Sequence, residues 1–414
     1  MKRVVVVGAS LAGVRAATQL RRLGYRGELL LLGDEAHLPY DRPPLSKEVL
    51  RGEWTAERIA LLKQTPAELD LRLRLGLRAS GLDLARRELC VEPSSGAAGA
   101  SRAERVGFDG LVIATGARAR RLPGPALSGV HVLRTLDDAM SLRDALAGAR
   151  SLVIVGAGFV GGEVASSARR AGLAVTLVES ARVPLAQSLG EQMASSLATL
   201  HEEHGVALRT GVGVDRLESE PSGDATERVA RVRLVDGSAI EADVVLVGIG
   251  AVPNTEWLEG SGVALDDGVS CDATCTVLDT RGQPLPGIVA AGDVARYDSV
   301  LFGERIRVEH WTHAAEQADR AAQTLLGESA PWSNAPLFWS DQYGMRIQFA
   351  GRAREGDLLH VCEGSLEARR FVTLYGREGR LVGALAVRRP AQLMRYRRQI
   401  EARARFDEAV SAAP

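Results

Sequence analysis

Two glycine-rich segments have the residue types and spacing of a phosphate-binding turn. The more complete one reads G-A-G-F-V-G at 156–161 and follows an apolar run at 151–155. In this pattern the first glycine makes a tight turn, the second lets the backbone approach a pyrophosphate, and the third lets a helix pack closely on a strand. The pattern therefore predicts that Gly156, Gly158 and Gly161 bind a dinucleotide at the N-terminus of a helix.

An acidic residue follows this turn at the position that selects the nucleotide. Glu179 ends the next apolar run, roughly 20 residues after the first glycine. A carboxylate accepts hydrogen bonds from the hydroxyls of an adenosine ribose and repels a 2′-phosphate. Glu179 therefore favours NADH over NADPH, and the nearby Arg182 keeps NADPH as the alternative.

The first glycine-rich segment is an incomplete copy of the same pattern. It reads G-A-S-L-A-G from Gly8 to Gly13, so that Ser10 replaces the middle glycine. Serine is small enough to leave room for a close approach of the backbone to a phosphate. Asp34 is the matching acid, and Glu35 beside it is the alternative. We expect a second nucleotide at this turn.

Both segments lie inside a repeated β–α–β unit. Residues 3–34 and 151–179 each run from an apolar strand through a glycine turn and an amphipathic helix into a second apolar strand. Continuous apolar strands are typical of parallel sheets that are buried on both faces. Further apolar runs at 111–114, 244–247 and 288–291 end in glycine turns, where ligands bind in open α/β sheets. The sequence thus predicts an α/β protein with two nucleotide sites.

The chain beyond residue 330 has a different pattern. Alternating stretches at 345–349, 371–375 and 381–387 predict antiparallel strands, and a basic helical tail follows them. Earlier in the chain, polar stretches at 93–107 and 219–226 predict hairpin loops.

The basic tail has two interpretations. Residues 361–414 hold 11 Arg against 6 Asp and Glu. Such an excess is either a solvated face or a docking surface for an acidic partner. If it is a docking surface, Arg395, Arg397 and Arg398 are the candidates for contact with that partner.

Composition excludes several classes of protein. The formal net charge is −1, so no global field attracts nucleic acid or an anionic membrane. No apolar run reaches the roughly 20 residues that a membrane-spanning helix needs. The chain has 4 Cys without a C-x-x-C pair or the spacing of a zinc site, which suits a reducing cytoplasm. Cys271 and Cys275 are either a redox pair or two buried side chains.

Several longer motifs occur in order along nearly the whole chain. They are P-Y-D-R-P-P-L-S-K at 39–47, G-I-G-A-V-P-N at 248–254, A-G-D at 291–293, R-V-E-H-W at 307–311 and F-W-S-D-Q-Y at 338–343. With these motifs the chain resembles the FAD-dependent ferredoxin reductases of bacterial oxygenase systems, of the putidaredoxin reductase and biphenyl-dioxygenase reductase type.

The resemblance implies a fold like that of glutathione reductase. It has two Rossmann-type nucleotide-binding domains and a C-terminal α+β domain. We expect a discontinuous FAD domain at 1–118 and 247–329, an NAD domain at 119–246, and an interface domain at 330–414. The resemblance does not define the oligomeric state.

The resemblance also implies which residues contact the FAD. Asp34 would hold the adenosine ribose, Lys47 would lie beside the isoalloxazine, Asp293 would hold the ribityl chain, and Trp311 would lie at the flavin ring. Ala12 is the expected contact within the first glycine turn, and the expected cofactor contacts outside the two turns are Asp34, Arg42, Lys47, Ala79, Arg134, Asp293 and Trp311.

Lys47 and Glu163 are the expected catalytic pair. Negative charge builds on a flavin ring when it is reduced, and a lysine beside the ring offsets that charge. In the wider fold a glutamate at the place of Glu163 pairs with this lysine. The alternative is that Glu163 is a carboxylate stabilised only by the N-terminus of its helix. His310 is expected to be structural, and no metal site is expected.

The activity that the resemblance implies is NADH-dependent ferredoxin reduction. NADH would pass a hydride to FAD, and electrons would then go singly to a two-iron ferredoxin that feeds a monooxygenase or a dioxygenase. The alternatives are a rubredoxin-type reductase and an NADH-sensing flavoprotein of the apoptosis-inducing-factor type. A disulfide reductase would need a cysteine facing the flavin, and the expected first domain has only Cys90 before its A-T-G-A strand.

Overall fold

The computed structural model describes residues 1–94, 103–221 and 227–413. These residues divide into two compact units. Unit 1 comprises Met1–Asp41, Ala56–Arg118 and Val252–Pro336, and unit 2 comprises Arg42–Thr55, Ala119–Ala251 and Leu337–Pro414.

The secondary structure combines many strands with fewer helices along the whole described chain. Residues 1–119 form β1 (Arg3–Val7), α1 (Leu11–Arg22), β2 (Glu28–Leu32), β3 (Arg72–Arg74), β4 (Leu77–Asp83), β5 (Glu88–Pro93), β6 (Glu104–Gly107), β7 (Gly110–Ile113) and β8 (Ala117–Ala119). Residues 130–253 form β9 (Val130–His131), α2 (Leu136–Ala147), β10 (Ser151–Val155), α3 (Phe159–Arg170), β11 (Ala174–Glu179), α4 (Ala186–Leu189), α5 (Glu191–Glu203), β12 (Ala207–Thr210), β13 (Val214–Pro221), β14 (Glu227–Leu234), β15 (Ala239–Glu241), β16 (Val244–Val247) and β17 (Ala251–Pro253). Residues 269–325 form β18 (Val269–Cys271), β19 (Thr276–Leu278), β20 (Pro284–Ala290), β21 (Ala295–Ser299), β22 (Glu304–Arg307) and α6 (Trp311–Leu325). Residues 337–411 form β23 (Leu337–Gln342), β24 (Met345–Gly351), β25 (Leu358–Ser365), β26 (Arg370–Arg377), β27 (Arg380–Val387), α7 (Pro390–Glu401) and α8 (Phe406–Ser411).

The main sheet of unit 1 has the strand order β22-β21-β18-β19-β20-β7-β1-β2-β3. Its strands β20, β7, β1, β2 and β3 are parallel. The run Val4–Val7 is buried on both faces of the sheet, and α1 and α6 pack on one face through alanine-rich surfaces. The carboxyl ends of the parallel strands therefore share one edge, which is the edge where nucleotides bind in such sheets.

The first part of unit 2 repeats this arrangement. Its parallel sheet has the order β12-β11-β10-β16-β9. The apolar residues of β10 and β16 are buried, and α3 packs against them. A small antiparallel sheet of β13, β14 and β15 is attached to this part of the unit.

The last part of unit 2 is an antiparallel sheet with the order β23-β24-β27-β26-β25. The helix α7 packs on it, and its other face shares a hydrophobic core with α5 through Met193, Leu197, Phe349 and Tyr375. The predicted strands at 345–349, 371–375 and 381–387 are confirmed as parts of β24, β26 and β27.

The predicted hairpin loops fall partly outside the described residues. For the stretch 93–107, residues 95–102 lie outside the described chain, and 104–107 form β6 rather than loop because they pair with β5. For the stretch 219–226, residues 222–226 lie outside it, and 219–221 belong to β13. The domain boundaries at 118, 246 and 329 stay predictions, and the sequence did not predict that Arg42–Thr55 belongs to unit 2.

Candidate functional site

The first glycine turn joins β1 to α1 and needs a backbone that only glycine adopts easily. Gly8 has a φ angle of +111°, and a Cβ atom there would lie 2.1 Å from the carbonyl oxygen of Ala114. A Cβ atom on Gly13 would lie 1.8 Å from the Gly8 carbonyl oxygen. Ser10 is the N-cap of α1, and its carbonyl oxygen accepts the Val14 N–H at 2.9 Å. The fold itself therefore requires both glycines.

The A-G-D turn follows β20 and meets the same helix. Gly292 has a φ angle of +80°, and a Cβ atom there would lie 3.0 Å from the Cβ atom of Ala12. The Gly292 N–H donates to Oε1 of the buried Gln317 of α6 at 2.9 Å, which holds the turn in place. Ala12 and Asp293, predicted on separate motifs, are thus brought to the same edge of the unit 1 sheet.

The acidic residues after β2 have different partners. Asp34 is exposed and accepts a hydrogen bond from the Ser94 hydroxyl, whereas Glu35 accepts one from the Tyr40 hydroxyl. The exposed carboxylate of Asp34 suits a ribose better than the half-buried one of Glu35. Ala79 lies in β4 opposite Val91, next to an irregularity in the strand pairing.

Trp311 begins α6 in unit 1. Its side chain is 37% exposed, and its indole N–H donates to Oδ1 of Asp41 at 2.6 Å. The neighbouring His310 is the N-cap of α6, and burial lowers its pKa to about 4. The indole ring of Trp311 is held in one orientation by this hydrogen bond, and its apolar face is suited to contact with a second flat ring. Asp41, which the sequence analysis did not single out, fixes the orientation of this indole.

The second glycine turn joins β10 to α3 in unit 2. Gly156 has a φ angle of +102°, and a Cβ atom there would lie 2.3 Å from the carbonyl oxygen of Gly248. A Cβ atom on Gly161 would lie 2.2 Å from the Gly156 carbonyl oxygen. A Cβ atom on Gly158 would meet no protein atom within 4 Å. The turn thus leaves space beside Gly158, at the N-terminus of α3, and this space fits a pyrophosphate.

Glu179 ends β11 beside this turn. Its Oε2 accepts the Ala157 N–H at 2.9 Å, and its Oε1 accepts the Ala181 N–H at 2.9 Å. The Ser180 hydroxyl also donates to Oε1, at 3.2 Å, so that Oε2 is the oxygen that retains a further lone pair for another donor. The carboxylate is therefore oriented by the backbone and has the acceptor capacity that a ribose requires.

Lys47 and Glu163 form an ion pair inside unit 2. Lys47 Nζ lies 2.7 Å from Glu163 Oε2, and the two side chains are 9% and 8% exposed. The Ser46 hydroxyl donates to the same Oε2 at 2.5 Å. The Ser340 hydroxyl donates to Oε1 at 2.9 Å, and the Asp341 N–H donates to it at 3.2 Å. The predicted pair is present in the structure, and each oxygen of the buried carboxylate has two donors.

Arg42 and Arg134 lie close together in unit 2. The Arg42 guanidinium donates to the Arg134 carbonyl oxygen. The Arg134 N–H in turn donates to Oδ2 of Asp138 at 3.0 Å. Thr135 and Asp138 form a capping box at the start of α2, so this segment has a defined backbone.

The predicted site residues divide between the two units. Unit 1 holds Gly8, Ser10, Ala12, Gly13, Asp34, Ala79, Asp293 and Trp311. Unit 2 holds Arg42, Lys47, Arg134, Gly156, Gly158, Gly161, Glu163 and Glu179. Sequence reasoning missed Asp41, Ser46, Gln317 and Ser340. Asp41 and Ser46 lie inside the D-R-P-P-L-S-K motif, and Ser340 lies inside the F-W-S-D-Q-Y motif. These two motifs are the sequence feature from which the three residues could have been found.

The remaining candidates for chemistry are structural. Cys271 and Cys275 are free thiols that are fully buried, and burial raises the pKa of Cys275 to about 12. A buried protonated thiol is unreactive, so we interpret both cysteines as core residues. Among the described residues, no group of three His, Cys, Asp or Glu could hold a metal ion. In the same part of the chain, no helix is long and apolar enough to cross a membrane.

Comparison with known families defines the class of protein. Residues 2–318 match the family described as pyridine nucleotide-disulphide oxidoreductase, and residues 337–414 match the family described as reductase C-terminal. The chain therefore belongs to the pyridine nucleotide-disulphide oxidoreductases, which use FAD and NAD(P)H. The residues around both glycine turns fit these two nucleotides.

Individual relatives narrow this assignment. The chain is 37% identical to rhodocoxin reductase of Rhodococcus erythropolis over 95% of this chain and 88% of that one. It is 34% identical to the ferredoxin–NAD(+) reductase component of the p-cumate 2,3-dioxygenase system of Pseudomonas putida, over 100% of this chain and 97% of that one.

A solved structure agrees with these relatives. The crystal structure of the covalent putidaredoxin reductase–putidaredoxin complex superimposes with a TM-score of 0.87 at 33% identity, covering 97% of this chain and 93% of that chain. The chain thus belongs to the ferredoxin reductases of oxygenase systems. The expected fold class, with two nucleotide-binding domains and a C-terminal α+β domain, is confirmed.

Proposed function

We propose that this protein is an NADH-dependent ferredoxin reductase that carries FAD and delivers electrons to a two-iron ferredoxin. The observation that carries the proposal is the buried Lys47–Glu163 pair, in which Lys47 ends a P-P-L-S-K segment that contains no cysteine. A disulfide reductase of the same family would need a cysteine facing the flavin. The names of the relatives, which are ferredoxin reductase components of dioxygenase systems or putidaredoxin reductase, support the same activity.

In this proposal the side chains of the protein bind the FAD and stabilise the negative charge of its reduced ring. When bound, FAD supplies the step from a two-electron donor to a one-electron acceptor. The glycine turn of unit 1 binds its pyrophosphate, Asp34 its adenosine ribose and Asp293 its ribityl chain. Lys47 holds a positive charge in a dry environment, where it stabilises the negative charge of the reduced ring more strongly than it would in water. Ala79, Arg42, Arg134 and Trp311 complete the proposed FAD contacts.

NADH is the proposed electron donor. In this proposal the Glu179 carboxylate accepts a hydrogen bond from the adenosine ribose, and the Ala157 and Ala181 N–H groups hold the carboxylate in place. A negative charge held in place repels a 2′-phosphate. Arg182, the residue that favours NADPH, forms an exposed ion pair with Glu191.

The ferredoxin docks on the basic tail in this proposal, but through fewer arginines than the sequence analysis suggested. Arg397 is buried, with a side chain 8% exposed, and pairs with Glu401 at 3.2 Å. Arg395 pairs with the buried Glu363 at 3.3 Å. Arg398 lies exposed on the outer face of α7, beside the exposed Met394. We therefore assign the contact with an acidic partner to the surface around Arg398.

A reductase assay tests the proposal. The purified protein is expected to be yellow and to reduce cytochrome c with NADH much faster than with NADPH. Addition of a two-iron ferredoxin is expected to raise the rate many-fold. If NADH bleaches the flavin but ferredoxin adds nothing, then the nucleotide sites are as proposed and the acceptor is not. Rubredoxin as the acceptor, or the slow turnover of an NADH sensor, is then the next test.

A further inference from the structure

The strand β23 lies along one face of the helix α3 in unit 2. The contacts join Phe338 to Phe159 with ring centroids 4.6 Å apart, Ser340 Oγ to Glu163 Oε1 at 2.9 Å, and the Tyr343 N–H to Ser166 Oγ at 2.8 Å. The three helix residues are spaced by one turn each and so share a face. The first of these contacts is a contact between aromatic rings and the third is a hydrogen bond to the backbone, whereas the middle one joins a buried hydroxyl to the proposed catalytic pair.

Ser340 has a defined hydrogen-bonding direction. Its hydroxyl is fully buried and accepts the Gln342 side-chain N–H at 3.0 Å. Because a carboxylate oxygen can only accept, the hydroxyl proton is directed to Glu163 Oε1. A Cβ atom placed on Gly162 would lie 2.7 Å from the Gln342 amide, so this amide fills the available space and cannot turn away easily.

The two oxygens of the Glu163 carboxylate therefore accept hydrogen bonds from two different parts of unit 2. Oε2 accepts from Lys47 and Ser46, and Oε1 accepts from the hydroxyl of Ser340 and the backbone of Asp341. The donors on Oε1 prevent the carboxylate from rotating to offer both oxygens to the ammonium. In a site of low dielectric constant, such a rotation would draw Lys47 Nζ towards Glu163 and reduce its effect elsewhere.

We propose that Ser340 is a positioning residue that fixes the place of the Lys47 ammonium by holding Oε1 of Glu163. The inference rests on the proposed function, in which the charge of Lys47 stabilises the reduced flavin. It means that a strand of the C-terminal domain, the domain to which the proposed ferredoxin docks, contributes to the reduction potential of the flavin. Ser340 acts only through Glu163 and Lys47.

The reduction potential of the bound flavin tests the inference. Ser340→Ala in the holoenzyme is expected to weaken binding of reduced flavin relative to oxidised flavin threefold or more, which is a fall of about 15 mV for a two-electron couple. Ser340→Thr restores the hydroxyl and is expected to return most of the shift. Ser270→Ala, which removes another buried serine, in unit 1, is the matched control and is expected to leave the potential unchanged.

The outcomes separate this inference from the proposed function. A potential of Ser340→Ala within error of the wild type overturns the inference, whether or not the melting temperature falls. An equal shift in Ser270→Ala also overturns it, because the effect would then follow from loss of any buried serine. A wild-type protein that binds no flavin, or is not reduced by NADH, contradicts the proposed function instead.

Discussion

The ammonium of Lys47 lies 2.7 Å from Oε2 of Glu163, in a part of unit 2 where both side chains are almost fully buried. The two partners are not equivalent. Glu163 has three other donors, whereas within the described chain the Lys47 ammonium has one other hydrogen-bond partner, the Ser46 hydroxyl at 3.4 Å. Removal of either residue leaves a buried charge, but the two charges left behind differ in how well they are compensated.

This asymmetry predicts unequal losses of stability. Glu163→Ala leaves an almost unpaired buried ammonium and is expected to cost about 3–5 kcal/mol. Lys47→Met leaves a carboxylate with three donors and is expected to cost about 1–3 kcal/mol. Urea unfolding followed by circular dichroism measures both, with Glu53→Ala, which breaks an exposed ion pair with Arg51, as the control. A Lys47 variant that is less stable than the Glu163 variant would contradict the assignment of these donors.

The nucleotide preference depends on the charge of Glu179. Glu179→Gln keeps the size of the side chain and removes the charge, so the ratio of kcat/KM for NADH to that for NADPH is expected to fall at least tenfold, or about 1.4 kcal/mol. The KM for NADH is expected to rise as well, because the amide lacks one of the two oxygens that accept hydrogen bonds from Ala157 and Ala181. Steady-state reduction of cytochrome c gives the ratio, and Glu220→Gln on the exposed surface is the control. An unchanged ratio removes Glu179 from the selection of nucleotide.

Substitutions in the second glycine turn separate folding from binding. Gly156→Ala places a Cβ atom 2.3 Å from a carbonyl oxygen and is expected to destabilise unit 2. Gly158→Ala meets no protein atom within 4 Å and is expected to fold normally, but the added methyl group occupies the space proposed for the pyrophosphate. The KM for NADH of this variant should rise about tenfold, while its FAD content stays at the wild-type level. A normal KM in Gly158→Ala would place the pyrophosphate elsewhere.

The sequence predicted the elements that have strong local signals. Both β–α–β units, their glycine turns and Glu179 follow from patterns of spacing, because the need for a tight turn and close packing limits the residues that fit. The pairing of Lys47 with Glu163 required the family resemblance, since no local pattern relates two residues so far apart in the chain. Ser46 and Ser340 were missed because serine is common, and only the tertiary structure brings their hydroxyls to one carboxylate.

A count of charges in the C-terminal tail was not sufficient to predict which arginines are available to a partner. Residues 395, 397 and 398 are close in sequence, but the helical repeat of α7 places Arg397 on a different face from Arg395 and Arg398. Arg397 faces inward, Arg395 reaches Glu363, and Arg398 faces outward. Burial and pairing therefore decided which charge is available to a partner.

The role of Arg398 in docking is testable by salt dependence. Arg398→Glu is expected to raise the KM for a two-iron ferredoxin about five- to tenfold at low salt, while the KM for NADH stays unchanged. The difference should disappear near 1 M salt, where the Debye length falls to about 3 Å. Arg150→Glu, at a highly exposed position elsewhere in unit 2, is the control for a general change of charge. An effect of equal size at high salt would mean that the substitution acts through structure rather than electrostatics.

Unit 2 is expected to lose stability in mild acid through His201. This histidine is buried in α5, bonds the Tyr343 hydroxyl at 2.9 Å, and has its pKa lowered from 6.5 to about 4, mainly by burial and also by His204. Between these two values the unfolded chain binds the proton and the folded chain does not, so stability falls as the pH falls. The contribution is about 2 kcal/mol between pH 7.5 and 5. His201→Gln should flatten the pH dependence of urea unfolding by this amount, whereas His360→Gln, at an exposed position, should leave it as in the wild type. An equally steep dependence in His201→Gln would show that other groups cause the acid sensitivity.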